Sequence, residues 1–155
     1  MKKAKKFPRI TADALSGKKV TIPDDVSGEM TLIGVAFVRE AQGMLDSWME
    51  YFQDLCKGKD IYELPMIDGV FWKILSGFID GGMRAGIPEE KHDYVVTYYG
   101  DTSEFRKELG MDDKNLAYIF LIDGDGYILF QGSGYPNEEE KKELLKVVKK
   151  SCEVD

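Results

Sequence analysis

The amino-acid sequence predicts a single α/β domain, residues 1–155, in which a mixed β-sheet lies between two layers of helices. Three observations support this fold class. A chain of 155 residues can bury a substantial core. Apolar runs typical of buried strands alternate with segments of helical periodicity, which predicts parallel strand pairs. Near the C-terminus two apolar runs flank a short turn, which predicts an antiparallel pair.

The N-terminal part is expected to form a β-hairpin ahead of the main sheet. Ser16-Gly17-Lys18 separates two short apolar segments within Phe7–Pro23, as a tight turn would. Residues 1–6 contain four lysines and are expected to form a basic, solvated tail. The apolar, β-branched run Met30–Val38 predicts the first strand of the main sheet.

Two helices and one strand are expected in the middle of the chain. Met44–Lys57 carries apolar side chains at helical spacing, and Asp60–Ile67 predicts a further strand. Val70–Ile79 is a second amphipathic segment. The glycines and the proline of Gly81–Pro88 are expected to end that helix in a specially shaped loop.

A strand, a short helix and a longer helix are expected in the second half. Tyr94–Tyr99 predicts the strand, after the charged and exposed segment Glu89–Asp93. Glu104–Leu109 predicts the short helix, which Gly110 ends. Asn137 is expected to cap the last helix, whose acidic first turn and basic last turn both oppose the helix dipole.

A second β-hairpin, near the C-terminus, is expected within Tyr118–Tyr135. Its two apolar runs, Tyr118–Ile122 and Tyr127–Phe130, flank Asp123-Gly124-Asp125-Gly126, whose residues suit a tight turn. The first run has no polar alternation, so we expect it to be buried on both faces at the centre of the sheet. The second run is expected nearer an edge, because Gln131 and glycines follow it.

Composition and charge narrow the class of function. The chain is 43% apolar and 32% charged, as is ordinary for soluble globular proteins, and its net charge of −7 disfavours nonspecific nucleic-acid binding. No apolar stretch approaches the roughly 20 residues that span a bilayer, and no secretory signal follows the basic start. Cys56 and Cys152 give neither a disulfide framework nor metal-ligand spacing. A cytoplasmic protein without metal or cofactor is therefore expected.

Motifs at both ends of the chain resemble one superfamily. The matching residues are Phe7-Pro8, Leu15-Ser16-Gly17-Lys18, Ser27-Gly28-Glu29 and Phe37 at the front, and Phe120-Leu121-Ile122-Asp123, Asp125-Gly126, Ile128 and Gly132 at the back. Together with the element order, they resemble thioredoxin-like domains of the peroxiredoxin or thiol–disulfide interchange type. This resemblance implies a three-layer thioredoxin-like fold with an N-terminal β-hairpin.

A second set of residues carries a narrower resemblance. The set is Arg39, Trp48, Arg84, Leu109-Gly110, Asn115, Tyr118, Leu121-Ile122-Asp123, Gly126, Ile128, Gly132 and Gly134. It resembles the mitochondrial ATP synthase assembly-factor family called Atp-ten and its prokaryotic relatives. The resemblance implies an assembly role that acts on a protein partner.

The segment that would form a thioredoxin redox site contains no sulfur nucleophile. Aligned on Phe37, the resemblance places that site at Gln42-Gly43-Met44-Leu45, with Ala117 where a cis-proline normally faces the thiol. No cysteine precedes Cys56 in the sequence. A thiolate at the helix N-terminus is the group that such chemistry requires. The principal hypothesis is therefore a redox-inactive, chaperone-like binding or assembly module.

The two cysteines leave an enzymatic alternative open. Cys56 lies on an apolar stripe and is expected to be buried and unreactive. Cys152 is expected to be an exposed bystander in a frayed C-terminus. An atypical thiol oxidoreductase or peroxidase that uses either cysteine is the alternative. No other catalytic residue is expected, since His92 has no partner for nucleophilic catalysis.

Polar residues around the former redox site form the candidate binding site. They are Arg39, Glu40, Gln42, Asp80 and Arg84, with Ala117. Arg39 and Glu40 follow a strand end where open α/β sheets bind ligands, and arginine can grip a carboxylate with two hydrogen bonds. A small acidic ligand or an acidic peptide is the ligand class this predicts. The alternative is a surface Arg–Glu or Arg–Asp pair that contributes about 0–1 kcal/mol to stability.

Overall fold

A mixed β-sheet organises the described part of the chain, which in this computed structural model comprises residues 5–26, 30–57, 59–67, 82, 85–149 and 152. Its strands are β1 (Ile10–Ala14), β2 (Lys19–Ile22), β3 (Met30–Ala36), β4 (Asp60–Ile67), β5 (Val96–Tyr99), β6 (Tyr118–Asp123) and β7 (Ile128–Ser133). The helices whose bounds the structure gives are α1 (Gln42–Leu55), α2 (Ser103–Leu109) and α3 (Glu138–Val148), with 3-10 helices at Arg39–Ala41 and Glu89–Tyr94. Gly82, Ala85 and Gly86, within the predicted loop Gly81–Pro88, are also helical.

The described strands form one seven-stranded sheet in the order β2-β1-β5-β4-β3-β6-β7. β3 and β5 each run parallel to β4, whereas β1–β2, β1–β5, β3–β6 and β6–β7 are antiparallel. The predicted mixed sheet and α/β class are confirmed. The N-terminal hairpin is also present, and it extends the main sheet through the β1–β5 pair.

β6 and β7 form the hairpin predicted at Asp123–Gly126. The Asp123 carboxylate accepts backbone hydrogen bonds from Asp125 and Tyr127, both at 2.9 Å, and Gly126 has φ +89°. β6 is buried along nearly its whole length, as predicted. It is second from the edge, however, because β4 takes the centre and β7 forms the edge of the described sheet.

The chain before β1 reaches the β6–β7 hairpin. Lys6 forms a β-bridge with Tyr127, and the Phe7 backbone N–H donates to the Gly126 carbonyl at 2.8 Å. The Lys5 and Lys6 side chains are exposed, whereas Phe7 is buried. Within residues 1–6, therefore, the last two have solvated side chains and a backbone that meets the sheet.

Buried apolar side chains of the described residues lie on both faces of the sheet. Alternate residues of β3, such as Leu32 and Ile33, belong to different clusters. The cluster around Leu32 contains Trp48 from α1 and Leu144 from α3. The cluster around Ile33 contains Leu109 at the end of α2. Helices therefore cover both faces, which gives the three layers.

Capping interactions define the start of α3. The Asn137 side chain accepts a hydrogen bond from the Glu140 backbone N–H at 2.8 Å, and the Glu140 carboxylate accepts one from the Asn137 backbone N–H. This reciprocal pair is a capping box. The predicted cap at Asn137 is confirmed.

The structure corrects the expectation that the two cysteines are unpaired. Cys56 is buried, as predicted, but Cys56 and Cys152 form a disulfide. Cys152 is half-buried and its backbone N–H donates to Val148 at 2.8 Å, so it is neither an exposed bystander nor frayed. The pairing arises because α1 and α3 pack on the same face of the sheet, which brings together residues 96 positions apart.

Two sequence-based expectations fall outside the described residues. They are the helix predicted at Val70–Ile79 and the side chains of Asp80 and Arg84. None of the helices among the described residues combines the length and apolar character needed to cross a membrane.

Candidate functional site

The first turn of α1 and the residue before β6 meet at one end of the sheet. The Ala117 backbone N–H donates to Met44 Sδ at 3.4 Å, and Ala117 is fully buried. A methionine thioether is a weak acceptor and cannot act as a thiolate nucleophile. Met44 and Ala117, which the resemblance matched to the redox site, are therefore in contact, but neither side chain can act as a thiol nucleophile.

Tyr135 covers the start of α1, and sequence reasoning did not identify it. A Cβ built on Gly43 would lie 2.9 Å from the Tyr135 hydroxyl oxygen, so the hydroxyl rests directly on that turn. Trp48 Nε1 donates to the Gly134 carbonyl at 2.8 Å and so holds the chain just before Tyr135. The tyrosine side chain is 60% exposed, which leaves most of it open to a ligand or partner.

The carboxamide of Gln42 already has two carboxylate partners. Gln42 Nε2 donates to Asp46 Oδ1 at 2.9 Å and to Glu63 Oε1 at 2.8 Å. The candidate residue Gln42 is therefore directed towards acidic side chains of the protein itself.

Glu63 is a site residue that sequence reasoning missed. Burial is the largest cause that raises the pKa of its carboxyl group, and the charge of Asp46 adds to the increase. The hydrogen bond from Gln42 and the charge of Lys91 act in the opposite direction. The available signal was a glutamate in the middle of β4, because a strand interior to a helix-covered sheet buries both of its faces.

Arg39 and Glu40 lie in the short helix between β3 and α1. Both side chains are exposed, and neither forms an ion pair within the part of the chain that the structure describes. Asp80 and Arg84 lie outside the described residues, so their relation to Arg39 stays a prediction. Of the six candidate residues, Gln42 and Ala117 have defined contacts at the start of α1.

Cavities open on both sides of α1. One of about 490 Å³ lies between α1 and the 3-10 helix Glu89–Tyr94, above β4. Another of about 370 Å³ lies between α1 and the start of α3, next to Tyr135. No group of three or more potential metal ligands occurs among the described residues.

The disulfide lies at the other end of α1 from this site. Cys56 directly follows the helix, whereas Gln42 begins it. A helix of 14 residues is about 21 Å long. The sulfur atoms are thus remote from the amides at the helix N-terminus, which would otherwise lower a thiol pKa.

The sheet order is that of a thioredoxin-like fold, and the start of α1 contains no cysteine. Within that class the particular family follows from the sequence. The profile of the ATP10 protein family matches residues 1–150, and the chain belongs to this family. No curated protein matches the chain significantly.

Solved structures support the fold. A candidate thiol:disulfide interchange protein DsbE from Chlorobium tepidum is 18% identical, with 96% of this chain and 99% of that chain covered and a TM-score of 0.58. BsSco, of the Sco family of cytochrome c oxidase assembly proteins, is 16% identical, with coverages of 98% and 96% and a TM-score of 0.58. The lipoprotein thioredoxin Etrx1 from Streptococcus pneumoniae is 14% identical, with coverages of 92% and 99% and a TM-score of 0.56. At these identities the likeness concerns the fold alone.

Proposed function

We propose that this protein is a binding module that assists the assembly of a protein complex and performs no thiol chemistry at the thioredoxin position. One observation carries the proposal. Gln42 and Met44 lie at the start of α1, where the resemblance places the redox thiols, and the Ala117 backbone N–H contacts the Met44 sulfur. Membership of the ATP10 family supports an assembly role, and BsSco shows that this fold occurs in an assembly protein.

The alternative is a thiol oxidoreductase or peroxidase that uses Cys56 or Cys152. The Cys56–Cys152 disulfide is the observation that supports this alternative, because a reversible disulfide can exchange with other thiols. Cys56 is only 2% exposed, which hinders attack on its sulfur atom. Binding without catalysis therefore has the better support.

The disulfide also bears on the compartment. Disulfides persist in oxidising compartments and are rare in the cytosol of most organisms. The pair therefore favours an oxidising compartment over the cytoplasmic location expected from the cysteine count. Alkylation of free thiols in intact source cells, followed by mass spectrometry with and without reduction, would measure the oxidised fraction.

An insulin-reduction assay tests the absence of thiol catalysis. The wild-type protein and a Cys56→Ala, Cys152→Ser variant should both give the background rate with dithiothreitol, while a thioredoxin control turns over. Turnover by the wild type that is lost in the double variant would overturn the proposal in favour of the alternative.

Capture of a partner with the tagged protein tests the binding role. We expect a specific partner from the source cell to bind the wild type and the double cysteine variant equally. Failure to recover any specific partner with the wild type, under conditions that preserve assembly intermediates, would contradict the proposed function.

An acidic ligand or peptide at Arg39 and Arg84 remains part of the proposal. Arg39→Ala with Arg84→Ala should weaken binding of such a ligand by about 1–3 kcal/mol, because each arginine would contribute charge-assisted hydrogen bonds. Lys18→Ala with Lys107→Ala removes two exposed cations elsewhere and is the matched control. Isothermal titration calorimetry would measure the affinity of each double variant for the acidic ligand. An equal loss of affinity in both would show that binding depends on overall charge and not on Arg39 and Arg84.

A further inference from the structure

The outward face of α1 carries negative charge that nothing on the helix balances. Asp46, Glu50 and Asp54 are exposed and follow one another at four-residue spacing. α1 contains no lysine or arginine, and within the described residues no ion pair reaches these three carboxylates. Like charges at this spacing destabilise a helix, so this arrangement opposes the folding of α1. A positively charged partner would relieve this repulsion.

The cavity of about 490 Å³ adjoins this face. Its lining combines apolar surface from Met49, Ile61 and Tyr94 with the carboxylates of Asp46 and Glu63. Two cations, Lys59 and Lys91, face five carboxylates in the complete lining, which also includes Glu50, Asp60 and Glu90.

The cavity of about 370 Å³ adjoins the opposite side of the same face. Glu50 and Asp54 line it together with Tyr51 and the exposed Tyr135. The Lys141 ammonium also lies there, but it is 3.9 Å from the Glu138 carboxylate and lies over the Tyr51 ring at 5.5 Å. The carboxylates of α1 in this cavity thus remain available to a cation from outside.

We propose that the acidic face of α1, defined by Asp46, Glu50 and Asp54, and the two cavities beside it dock a basic segment of a protein partner. Lysine and arginine carry a cationic end on an apolar stem, which matches carboxylates set beside apolar and aromatic surface. The net charge of −7 attracts such a segment as it approaches. The inference rests on the proposed function and names the chemistry of the partner.

Fluorescence anisotropy with a synthetic peptide tests the surface. The probe is a labelled peptide of about 12 residues with about four arginines, compared with the same peptide in which citrulline replaces arginine. At about 150 mM salt the wild type should bind the arginine peptide and not the citrulline peptide. Failure to bind the arginine peptide, or equal binding of both, would overturn the inference.

Charge-matched variants separate the face from the overall charge. The α1 triple variant carries Asp46→Asn, Glu50→Gln and Asp54→Asn. Its affinity for the arginine peptide should be about tenfold or more below that of the wild type. The control triple variant carries Glu104→Gln, Glu108→Gln and Asp112→Asn, which remove the same charge around α2 on the opposite side of the sheet. Its affinity for the arginine peptide should stay within about twofold of the wild-type value. Equal weakening by both triple variants would overturn the inference.

Glu50→Gln alone provides a second test that preserves the Gln42–Asp46 hydrogen bond. Glu50 lines both cavities, so this variant should weaken binding of the arginine peptide several-fold without lowering the melting temperature. Unchanged affinity in the folded variant would count against the proposed surface.

Capture of a partner from the source cell, with the tagged wild type and the tagged α1 triple variant, distinguishes this inference from the proposed function on which it rests. If the wild type and the α1 triple variant recover the same specific partner equally, the inference fails and the proposed function stands. If the wild type recovers none, the proposed function itself fails. A salt-sensitive dimer that the triple variant abolishes would assign the face to a second copy of the chain and overturn the inference.

Discussion

Close packing at single residues determines how the start of α1 is held. The Trp48 side chain lies against Gly132, and its indole N–H bonds the Gly134 carbonyl. Gln42 joins Asp46 to the partly buried Glu63. Two predictions follow from these contacts, one concerning the ionisation of Glu63 and the other the packing of Gly132 against Trp48.

Replacing Glu63 with glutamine should change the pH dependence of stability. Because burial raises the pKa of Glu63 above its ordinary value of 4.5, the native state holds more protons than the unfolded state between those two pKa values. The free energy of unfolding should therefore fall as pH rises through this window, an effect that the uncharged carboxamide of the variant cannot show. The stability of Glu63→Gln relative to the wild type should increase across the window and then level off.

Urea unfolding at a series of pH values from about 4.5 to 8 measures this difference. Glu104→Gln, on exposed α2, controls for the loss of one negative charge. A constant difference between Glu63→Gln and the wild type over the whole range would show that Glu63 ionises equally in the native and unfolded states.

Gly132→Ala should destabilise the protein through overpacking. The added Cβ would lie 2.8 Å from Trp48 Cζ2, and this indole is fully buried. Overpacking of this kind costs about 1–3 kcal/mol. Gly43→Ala meets the side chain of the exposed Tyr135, which can move, and it replaces a glycine within a helix, so its free energy of unfolding should not fall. A Gly132→Ala variant as stable as Gly43→Ala in urea would contradict this packing.

At the scale of elements, the two ends of α1 differ in their chemistry. Its N-terminal end, where the resemblance predicts a redox site, presents Gln42 and Met44. Its C-terminal end leads into Cys56, which is bonded to Cys152 beyond α3. The sulfur atoms therefore serve to join two helices on the same face of the sheet.

Cys152→Ser should lower the free energy of unfolding by about 2–5 kcal/mol, because the crosslink restricts the unfolded chain between residues 96 positions apart. Adding dithiothreitol to the wild type should lower its stability to a similar extent and leave Cys152→Ser unchanged. Urea unfolding with and without reductant measures both effects. Insensitivity of the wild type to complete reduction would contradict a stabilising role.

At the scale of the whole molecule, local patterns predicted most elements of the described fold. The β4 boundaries agree with the apolar run, and Asn137 begins α3 as its capping pattern indicated. Local patterns could not reveal the disulfide, because its formation depends on how α1 and α3 pack. Glu63 was missed although its place in the middle of β4 was a signal, because the extent of its burial depends on how α1 packs beside β4. The candidate site was therefore predicted at its helix terminus, but not at Tyr135 or Glu63.

The bond between Cys56 and Cys152 makes a covalent ring of more than half the polypeptide. A protease that cuts once inside the ring would leave both fragments attached, so the product should migrate near 17.6 kDa on a non-reducing gel. Reduction should then resolve two bands. A single cut ahead of Cys56 lies outside the ring and should release a fragment under both conditions. Nicking by trace proteases inside the ring would thus be visible only after reduction, whereas nicking ahead of Cys56 would be visible with or without it.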